Sequence, residues 1–156
     1  MIFYPIDTLV KAGITELMIV TSGPHVGQFL GLLKNGKELG VRHIEYAYQD
    51  KPDGGIADAL SLTKNFADGE SIAVILGDNT TDANIKDNLS SFKEVAMIFL
   101  KKVSDPHRFG IAVFDKEDPS RIIAIEEKPK KPKSNMAVTG LYIYDNKVTN
   151  RLRFCA

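Results

Sequence analysis

The sequence predicts an α/β fold with a mixed sheet, on three observations. Residues 72–76 are five consecutive apolar residues, which is typical of a strand buried on both faces. Strand-like and helix-like segments alternate through the first half of the chain, as they do in parallel βαβ units. The second half is mostly strand-like and is broken by proline and glycine, which predicts antiparallel strands added at one end of the sheet.

Length and composition favour a single domain over residues 1–156. The 20 basic and 20 acidic residues balance, so we expect no broad field that attracts nucleic acid or an anionic membrane. The chain has no apolar run near the roughly 20 residues that span a bilayer, and no signal-peptide pattern. Its single cysteine, Cys155, can form no internal disulfide, which predicts a cytoplasmic location.

The elements of the first half begin with a helix over residues 1–13. Its apolar residues, Ile6 and Leu9 among them, recur near helical spacing, and Gly13 suits the position after a helix end. The predicted elements that follow are a strand at 16–21, a helix at 24–34, a strand at 43–49, a turn cluster at 50–55, a helix at 56–66 and the strand at 71–76.

The elements of the second half are shorter. They are a helix at 85–91, strands at 94–103, 111–114 and 122–126, a basic loop at 128–133 and a last strand at 138–144.

Asp78 follows the buried strand at 71–76 directly after Gly77. In open α/β sheets the ligand lies beyond the carboxyl ends of the strands, so this carboxylate is a candidate for holding a divalent cation and, through it, a phosphate. The alternative is an aspartate that forms a turn or caps a helix.

A glycine-containing turn, with Pro52, Asp53 and Gly54, lies between a predicted strand and a predicted helix. Glycine lets backbone N–H groups approach a ligand, and a helix N-terminus favours an anion or a base edge. Gln49 just before the turn can both donate and accept hydrogen bonds, so it could read a nucleobase. The alternative is an ordinary turn between strand and helix.

Three residues of the second half are candidates for sugar and phosphate contacts. Lys128 could meet a phosphate as a point charge, and Glu127 could accept hydrogen bonds from sugar hydroxyls. Gly110 could let the backbone approach a sugar. The alternatives are a solvated charged loop and a hairpin glycine. The three histidines lack ligand spacing, so no zinc site is predicted.

Six short motifs occur in one order along the chain. They are Ala-Gly-Ile-Thr-Glu-Leu-Met-Ile-Val at 12–20, Gln49 with Pro-Asp-Gly-Gly-Ile-Ala at 52–57, Leu-Gly-Asp-Asn at 76–79, Arg-Phe-Gly at 108–110, Glu-Glu-Lys-Pro at 126–129 and Lys-Ser-Asn-Met-Ala-Val-Thr-Gly-Leu-Tyr at 133–142. Each motif is weak alone, but together they are specific. In these six motifs and their order, the chain resembles the sugar-1-phosphate nucleotidylyltransferases, and most of all the glucose-1-phosphate thymidylyltransferases.

The resemblance implies a Rossmann-like, three-layer nucleotidyltransferase core. It implies a reaction that joins a nucleoside triphosphate to a sugar 1-phosphate, with Mg²⁺ neutralising charge. It also implies roles for the candidate residues: Asp78 as a catalytic residue and the Mg²⁺ ligand, Lys128 as a catalytic residue that contacts the sugar phosphate, Gln49, Pro52, Asp53 and Gly54 at the nucleotide, and Gly110, Glu127 and Val138 at the sugar.

The chain departs from the family pattern in three places. The family's opening strand with its glycine-rich triphosphate loop, and its later second metal-binding aspartate, have no counterpart here, and residues 79–82 lack the expected aromatic residues. We therefore expect a domain truncated at both ends, which lacks the family's first central strand. Three functions stay open: an impaired enzyme, a non-catalytic nucleotide- and sugar-binding module, and an oligomerising fragment without a ligand.

Loss of a central strand would leave the strands at 16–21 and 71–76 with unpaired edges. We expect one of two repairs. Either these two strands pair with each other directly, or another copy of the chain supplies a strand, which predicts a homo-oligomer with exchanged strands.

Overall fold

A computed structural model describes residues 1–93 and 95–148 of the chain. Five α-helices and seven strands are found in this part. They are α1 (Phe3–Lys11), β1 (Glu16–Thr21), α2 (Val26–Leu33), β2 (His43–Tyr48), α3 (Gly55–Ser61), α4 (Lys64–Ala67), β3 (Ile72–Ile75), α5 (Lys86–Ser91), β4 (Ala96–Lys102), β5 (Gly110–Phe114), β6 (Ile122–Glu127) and β7 (Met136–Tyr144).

The predicted order of helices and strands is confirmed, with one helix divided in two. The helix predicted at 56–66 is interrupted between α3 and α4. The amide of Thr63 bonds to the carbonyl of Leu60, three residues back, and the Thr63 hydroxyl donates to that same carbonyl at 2.8 Å. This tightening of the last turn ends α3 before a short second helix begins.

The strands form two separate sheets. β1 and β2 pair in parallel, with Leu17 opposite Ile44. The other five strands form a sheet whose order is β3-β7-β5-β6, with β4 also paired to β7, and every pairing in it is antiparallel. The predicted change from parallel strands to antiparallel strands along the chain is therefore confirmed, although β3 belongs to the antiparallel part.

Of the two expected repairs, direct pairing of the strands at 16–21 and 71–76 is not seen among the described strands, and a strand supplied by another copy stays a prediction. Within the described residues β1 pairs with β2 alone, and β3 pairs with β7 alone. One hydrophobic core reaches both sheets, because it joins Ile6 of α1 and Leu17 of β1 to Leu141 of β7. Every residue of β1 and of β3 lines a common cavity of about 670 Å³, which separates the two strands.

The buried core lies between the helices and the two sheets. Among the described residues, its largest fully buried side chains are Ile85, Ile111 and Ile143, each at most 1% exposed. Among the described helices, none has both the length and the apolar character needed to cross a membrane. The division of the chain into a single domain stays a prediction.

Candidate functional site

Asp78 lies in an exposed turn just beyond β3. The start of this turn is held against β7, because the backbone N–H of Leu76 donates to the carbonyl of Gly140 at 2.8 Å. Asn79 then donates from Nδ2 to Oδ1 of Asp78 at 2.9 Å. This contact orients the carboxylate while it remains open to solvent.

Asn79 joins the Asp78 turn to the middle of β7. The side-chain Oδ1 of Asn79 accepts a hydrogen bond from the backbone N–H of Gly140 at 3.1 Å. The backbone N–H of Asn79 donates to the carbonyl of Leu76 at 3.0 Å. A Cβ on Gly140 would lie 2.3 Å from Asn79 Nδ2, so only glycine admits this contact. The positioning role of Asn79 was missed in the sequence. The available signal was Gly140 itself, because a glycine inside a strand often marks a close approach of another group.

Val138 lies on the same strand, two residues before Gly140. Residues two apart on a strand point to the same face, so Val138 and the Asn79 contact share one side of β7. Val138 is half-buried and pairs with Leu100 of β4. The structure therefore brings the turn of Asp78 to the strand that carries this predicted sugar contact.

Gly110, Glu127 and Lys128 come together in the hairpin of β5 and β6. Gly110 lies directly opposite Glu127, and a Cβ on Gly110 would lie 3.0 Å from Glu127 Oε2. Lys128 adopts a left-handed backbone with φ of 43°, and its amide donates to the carbonyl of Phe109 at 3.1 Å. Its Nζ lies 3.8 Å from Glu127 Oε1. The hairpin thus presents an exposed acid and an exposed base side by side.

The pKa values of two tyrosines on the central strand β7 are raised. Burial, and then the nearby Glu127 carboxylate, raise the pKa of the Tyr142 phenol. Tyr142 stacks on Tyr144 with ring centroids 5.9 Å apart, and burial followed by Tyr142 raises the pKa of Tyr144. Sequence reasoning did not single out Tyr142, which read only as part of a strand. Tyr142 lies on β7, the strand that also carries Val138.

On the other sheet, Gln49 follows β2 and holds the glycine-containing turn in place. Its amide donates to the carbonyl of Thr21 at 2.9 Å. Its side-chain Nε2 donates to the carbonyl of Gly55 at 3.1 Å and to Asp58 Oδ2 at 2.9 Å. In this state the donor end of Gln49 is engaged by its own chain, so a nucleobase would have to use the acceptor end or displace these bonds.

Asp58 is the residue of this region that sequence reasoning missed. It lies on α3, half-buried, and a Cβ on Gly54 would come within 2.6 Å of its side chain. Gly54 therefore lets Asp58 reach Gln49. Asp53 is exposed on the short 3-10 turn Pro52–Gly54.

A cavity of about 670 Å³ lies next to residues that neighbour Asp78 and the turn of Gln49 and Gly54. Its lining includes Leu76 and Gly77, which precede Asp78, together with Thr21 and Ile56 beside the turn of Gln49 and Gly54. Within the part of the chain that the structure describes, the lining includes none of the candidate site residues. Residues next to Asp78 and to the Gln49 turn thus line the same cavity, and the functional roles of the candidates stay predictions.

The described residues contain no cluster of three or more histidine, cysteine, aspartate or glutamate side chains that could hold a metal ion. Asp78 offers one exposed carboxylate. That donor set fits Mg²⁺ of the kind that keeps several waters and takes its other ligands from substrate phosphates. It does not fit a site built from protein groups alone.

Comparison with known proteins agrees with the motifs. The nucleotidyl transferase family profile matches residues 1–154. Glucose-1-phosphate thymidylyltransferase of Xanthomonas campestris pv. campestris (strain B100) is 39% identical over 154 residues, which are 96% of this chain and 51% of that protein. The enzyme of the same name from Mycobacterium tuberculosis (strain CDC 1551 / Oshkosh) is 40% identical over 151 residues, 95% of this chain and 51% of that protein.

A crystal structure assigned to glucose-1-phosphate thymidylyltransferase from Bacillus anthracis, in complex with a sucrose, has the same fold. It superimposes with a TM-score of 0.89 at 42% identity, and the match covers 97% of this chain and 61% of that chain. The predicted Rossmann-like nucleotidyltransferase fold and the predicted family resemblance are both confirmed. The chain spans about half the length of the curated relatives it matches.

Proposed function

Because the chain belongs to the nucleotidyl transferase family, we propose that it carries the nucleotide- and sugar-phosphate-binding core of a nucleotidyl transfer reaction. The proposed donor is deoxythymidine triphosphate and the proposed acceptor is glucose 1-phosphate, as the names of its relatives suggest. The chain spans about half the length of those relatives, so the statement that it supports the complete reaction is also a proposal.

The proposed reaction is an in-line displacement. An oxygen of the sugar 1-phosphate forms a bond to the α-phosphorus, while the bond from that phosphorus to the bridging oxygen of the β-phosphate breaks. Pyrophosphate leaves with the electron pair of that bond, and the nucleotide sugar remains. Such a transfer needs position and charge stabilisation more than covalent chemistry from the protein.

Each candidate residue has a proposed part in positioning. Asp78 would hold Mg²⁺, which supplies charge neutralisation at the phosphates when it is bound. Lys128 would place its ammonium group against the sugar phosphate, and Glu127 would accept hydrogen bonds from sugar hydroxyls. Gly110 and Val138 would contact the sugar. The nucleotide would lie against Gln49 and the turn formed by Pro52, Asp53 and Gly54.

The observation that carries this proposal is that two separate segments, the Asp78 turn and the β5–β6 hairpin, meet β7. Asn79 joins the Asp78 turn to Gly140 of β7. The β5–β6 hairpin, which carries Glu127, pairs with the same strand, where Ile111 lies opposite Ala137. A proposed metal ligand and a proposed sugar contact on segments that meet one strand suit recognition of a metal-bound sugar phosphate.

A second candidate is a binding module that holds nucleotide and sugar without turnover. The lack of a metal-binding cluster among the described residues favours it, because Asp78 alone gives a metal only one protein ligand. A weakly held metal lowers the charge stabilisation that transfer between phosphates depends on.

The test measures pyrophosphate release from deoxythymidine triphosphate and glucose 1-phosphate with Mg²⁺, alongside calorimetric titration with each substrate. Turnover supports transfer, and binding without turnover supports the second candidate. Asp78→Asn should abolish metal-dependent turnover or metal-dependent nucleotide binding. Asp82→Asn is the matched control, since Asp82 is also an exposed acid of the same loop. Equal losses in the two variants would contradict the role of Asp78.

Two further expectations remain predictions. A homo-oligomer would appear in sedimentation velocity as a species larger than one chain. A cytoplasmic location, based on the lone Cys155, would appear on fractionation of the source cells; that residue lies outside the described part of the chain.

A further inference from the structure

Lys128 has a backbone conformation that both its residue type and its neighbour oppose. Its φ of 43° lies in the left-handed region, which residues with a Cβ seldom adopt. The next residue is Pro129, and a proline favours an extended backbone at the residue before it. Because two local effects work against this conformation, contacts from elsewhere in the chain must hold it.

The other described residues that combine a Cβ with a positive φ have an ordinary explanation. Lys34 directly follows α2 and Asp68 directly follows α4, and a left-handed residue is common just after a helix. Lys128 instead follows the strand β6. Its conformation therefore needs an explanation of its own.

The contacts that hold Lys128 come from one short segment, which consists of the 3-10 turn Pro106–Arg108 and Phe109. The backbone N–H of Lys128 donates to the carbonyl of Phe109 at 3.1 Å. The carbonyl of Pro129 lies 3.1 Å from Nδ1 of His107. A carbonyl can only accept, so Nδ1 of His107 carries the proton in this contact. The chain is thus held just before and just after the strained residue.

The side chain of His107 does what a backbone donor cannot do in this loop. Pro129 and Pro132 have no N–H, so the start of the loop after β6 can donate few backbone hydrogen bonds to the neighbouring turn. Further along, the N–H of Val103 donates to the carbonyl of Asn135 at 2.9 Å. His107 adds a contact between that bond and the bond of Lys128 to Phe109.

The ion pair of Lys128 cannot account for its backbone conformation. Lys128 Nζ lies 3.8 Å from Glu127 Oε1, and the two side chains are 66% and 73% exposed. Exposed pairs of this kind contribute little to stability, because solvent screens the charges and long side chains lose entropy when they pair. The hydrogen bonds to the turn are therefore the better explanation.

We propose that His107 is a positioning residue for the sugar phosphate, because its bond to Pro129 keeps Lys128 in the left-handed conformation. This inference rests on the proposed function, in which Lys128 contacts that phosphate. The ammonium group lies at the end of a long side chain, so a change in φ at Lys128 displaces it from the phosphate. The attraction between two charges weakens with distance, so the sugar phosphate would be held less tightly.

Three variants test this role. His107→Ala removes the donor. His107→Asn is the conservative variant, since the side-chain amide of asparagine can donate from about the place of Nδ1. His43→Ala is the matched control, because His43 is also exposed and contacts Glu45 on β2, in the other sheet.

The first measurement is amide hydrogen exchange of Lys128 by nuclear magnetic resonance, without any substrate. We expect exchange to be about fivefold faster in His107→Ala, which corresponds to loss of the net contribution of one hydrogen bond. His107→Asn should exchange at nearly the rate of the unaltered chain, and His43→Ala should not differ from it. This measurement reports on the loop alone and needs no activity.

The second measurement is calorimetric titration with glucose 1-phosphate and, separately, with deoxythymidine triphosphate, both with Mg²⁺. His107→Ala should raise the dissociation constant of glucose 1-phosphate about fivefold. The affinity for deoxythymidine triphosphate should not change, because the nucleotide is proposed to lie against the turn of Gln49. His107→Asn should restore the affinity for glucose 1-phosphate. A general loss of structure would not weaken one substrate alone.

Four results would overturn this inference and leave the proposed function standing. They are unchanged exchange of Lys128 in His107→Ala, faster exchange with an unchanged affinity for glucose 1-phosphate, equal weakening of both substrates, and failure of His107→Asn to restore binding. An equal effect of His43→Ala would likewise overturn it. If the unaltered chain binds no glucose 1-phosphate, the proposed function itself fails, and the positioning role of His107 fails with it.

Discussion

Replacing Gly140 by alanine should break the link between β7 and the Asp78 turn. The added Cβ would lie 2.3 Å from Asn79 Nδ2, 2.7 Å from Asn79 Cγ and 2.8 Å from Leu76 Cγ. Contacts this short cannot be absorbed in place, so Asn79 must move away. Its movement would free the buried amide of Gly140, which now donates to Asn79 Oδ1, and would release the Asp78 carboxylate from Asn79 Nδ2.

The expected loss of stability follows from these two effects. Overpacking of a dense region costs about 1–3 kcal/mol. A buried donor left without a partner costs about 1–3 kcal/mol. Since the shift of Asn79 relieves part of the overpacking, we expect the free energy of unfolding to fall by about 2–4 kcal/mol. With a urea m-value of about 2 kcal/mol per molar, the midpoint should fall by about 1–2 M.

Gly31→Ala is the matched control in the same urea titration. Gly31 lies inside α2 and has no heavy atom within 4 Å of the added Cβ. Alanine is the better helix former there, so this variant should gain about 0.5–1 kcal/mol. A loss below about 0.5 kcal/mol for Gly140→Ala, or equal effects of the two variants, would refute the reasoning. Combination with Asn79→Ala should show a coupling energy of about 1 kcal/mol or more, because the double variant removes the main clash.

Three further predictions concern the phenols, the nucleotide turn and the core. Burial and Glu127 raise the pKa of Tyr142 in the folded chain, so the phenol ionises more easily once the chain unfolds. The free energy of unfolding should therefore stay constant below about pH 10 and fall as the pH rises beyond it. Ultraviolet titration should give a lower Tyr142 pKa in Glu127→Gln than in the unaltered chain. Gln49→Ala should lower the free energy of unfolding by about 1–2 kcal/mol, because the variant removes the bonds to Gly55 and Asp58; an unchanged urea midpoint would contradict this. Ile111→Ala, at a fully buried position, should cost about 2–5 kcal/mol in the same assay, and a cost below 1 kcal/mol would mean that the site is less enclosed than the structure has it.

The strands were predictable because their signals are local. The apolar run at 72–76 and the turn residues after it mark β3 without reference to any other part of the chain. The division of α3 from α4 was not predictable from apolar spacing. It depends on the Thr63 hydroxyl bonding back to Leu60, which competes with continuation of the helix.

The open gap between the sheets was not predictable for a different reason. Unpaired edges of β1 and β3 favour direct pairing when they are considered alone. The structure instead has a cavity of about 670 Å³ between these strands, lined by side chains from distant parts of the sequence such as Ile6 and Ile143. Local signals mark each strand but do not show which strands pair, so the gap could not be predicted.

Candidate residues could be selected from the sequence, but the contacts that hold them in place could not be predicted. Asp78, Gly110 and Glu127 could be selected because of their residue types and their places at strand ends. Asn79 could not be assigned its role, because its partner Gly140 lies 61 residues along the chain. Asp58 likewise gains its role from contact with Gln49 across a turn.

The division of the strands into two sheets has a consequence for amide hydrogen exchange. In the described part of the chain no ladder of backbone hydrogen bonds joins β1 and β2 to the other five strands, so side-chain packing alone resists their local opening. The amides of the β1–β2 pair should therefore exchange by subglobal unfolding at a lower free energy than those of β7, which is enclosed by neighbouring strands on both sides. We therefore expect hydrogen exchange to show two cooperative folding units that share one hydrophobic core.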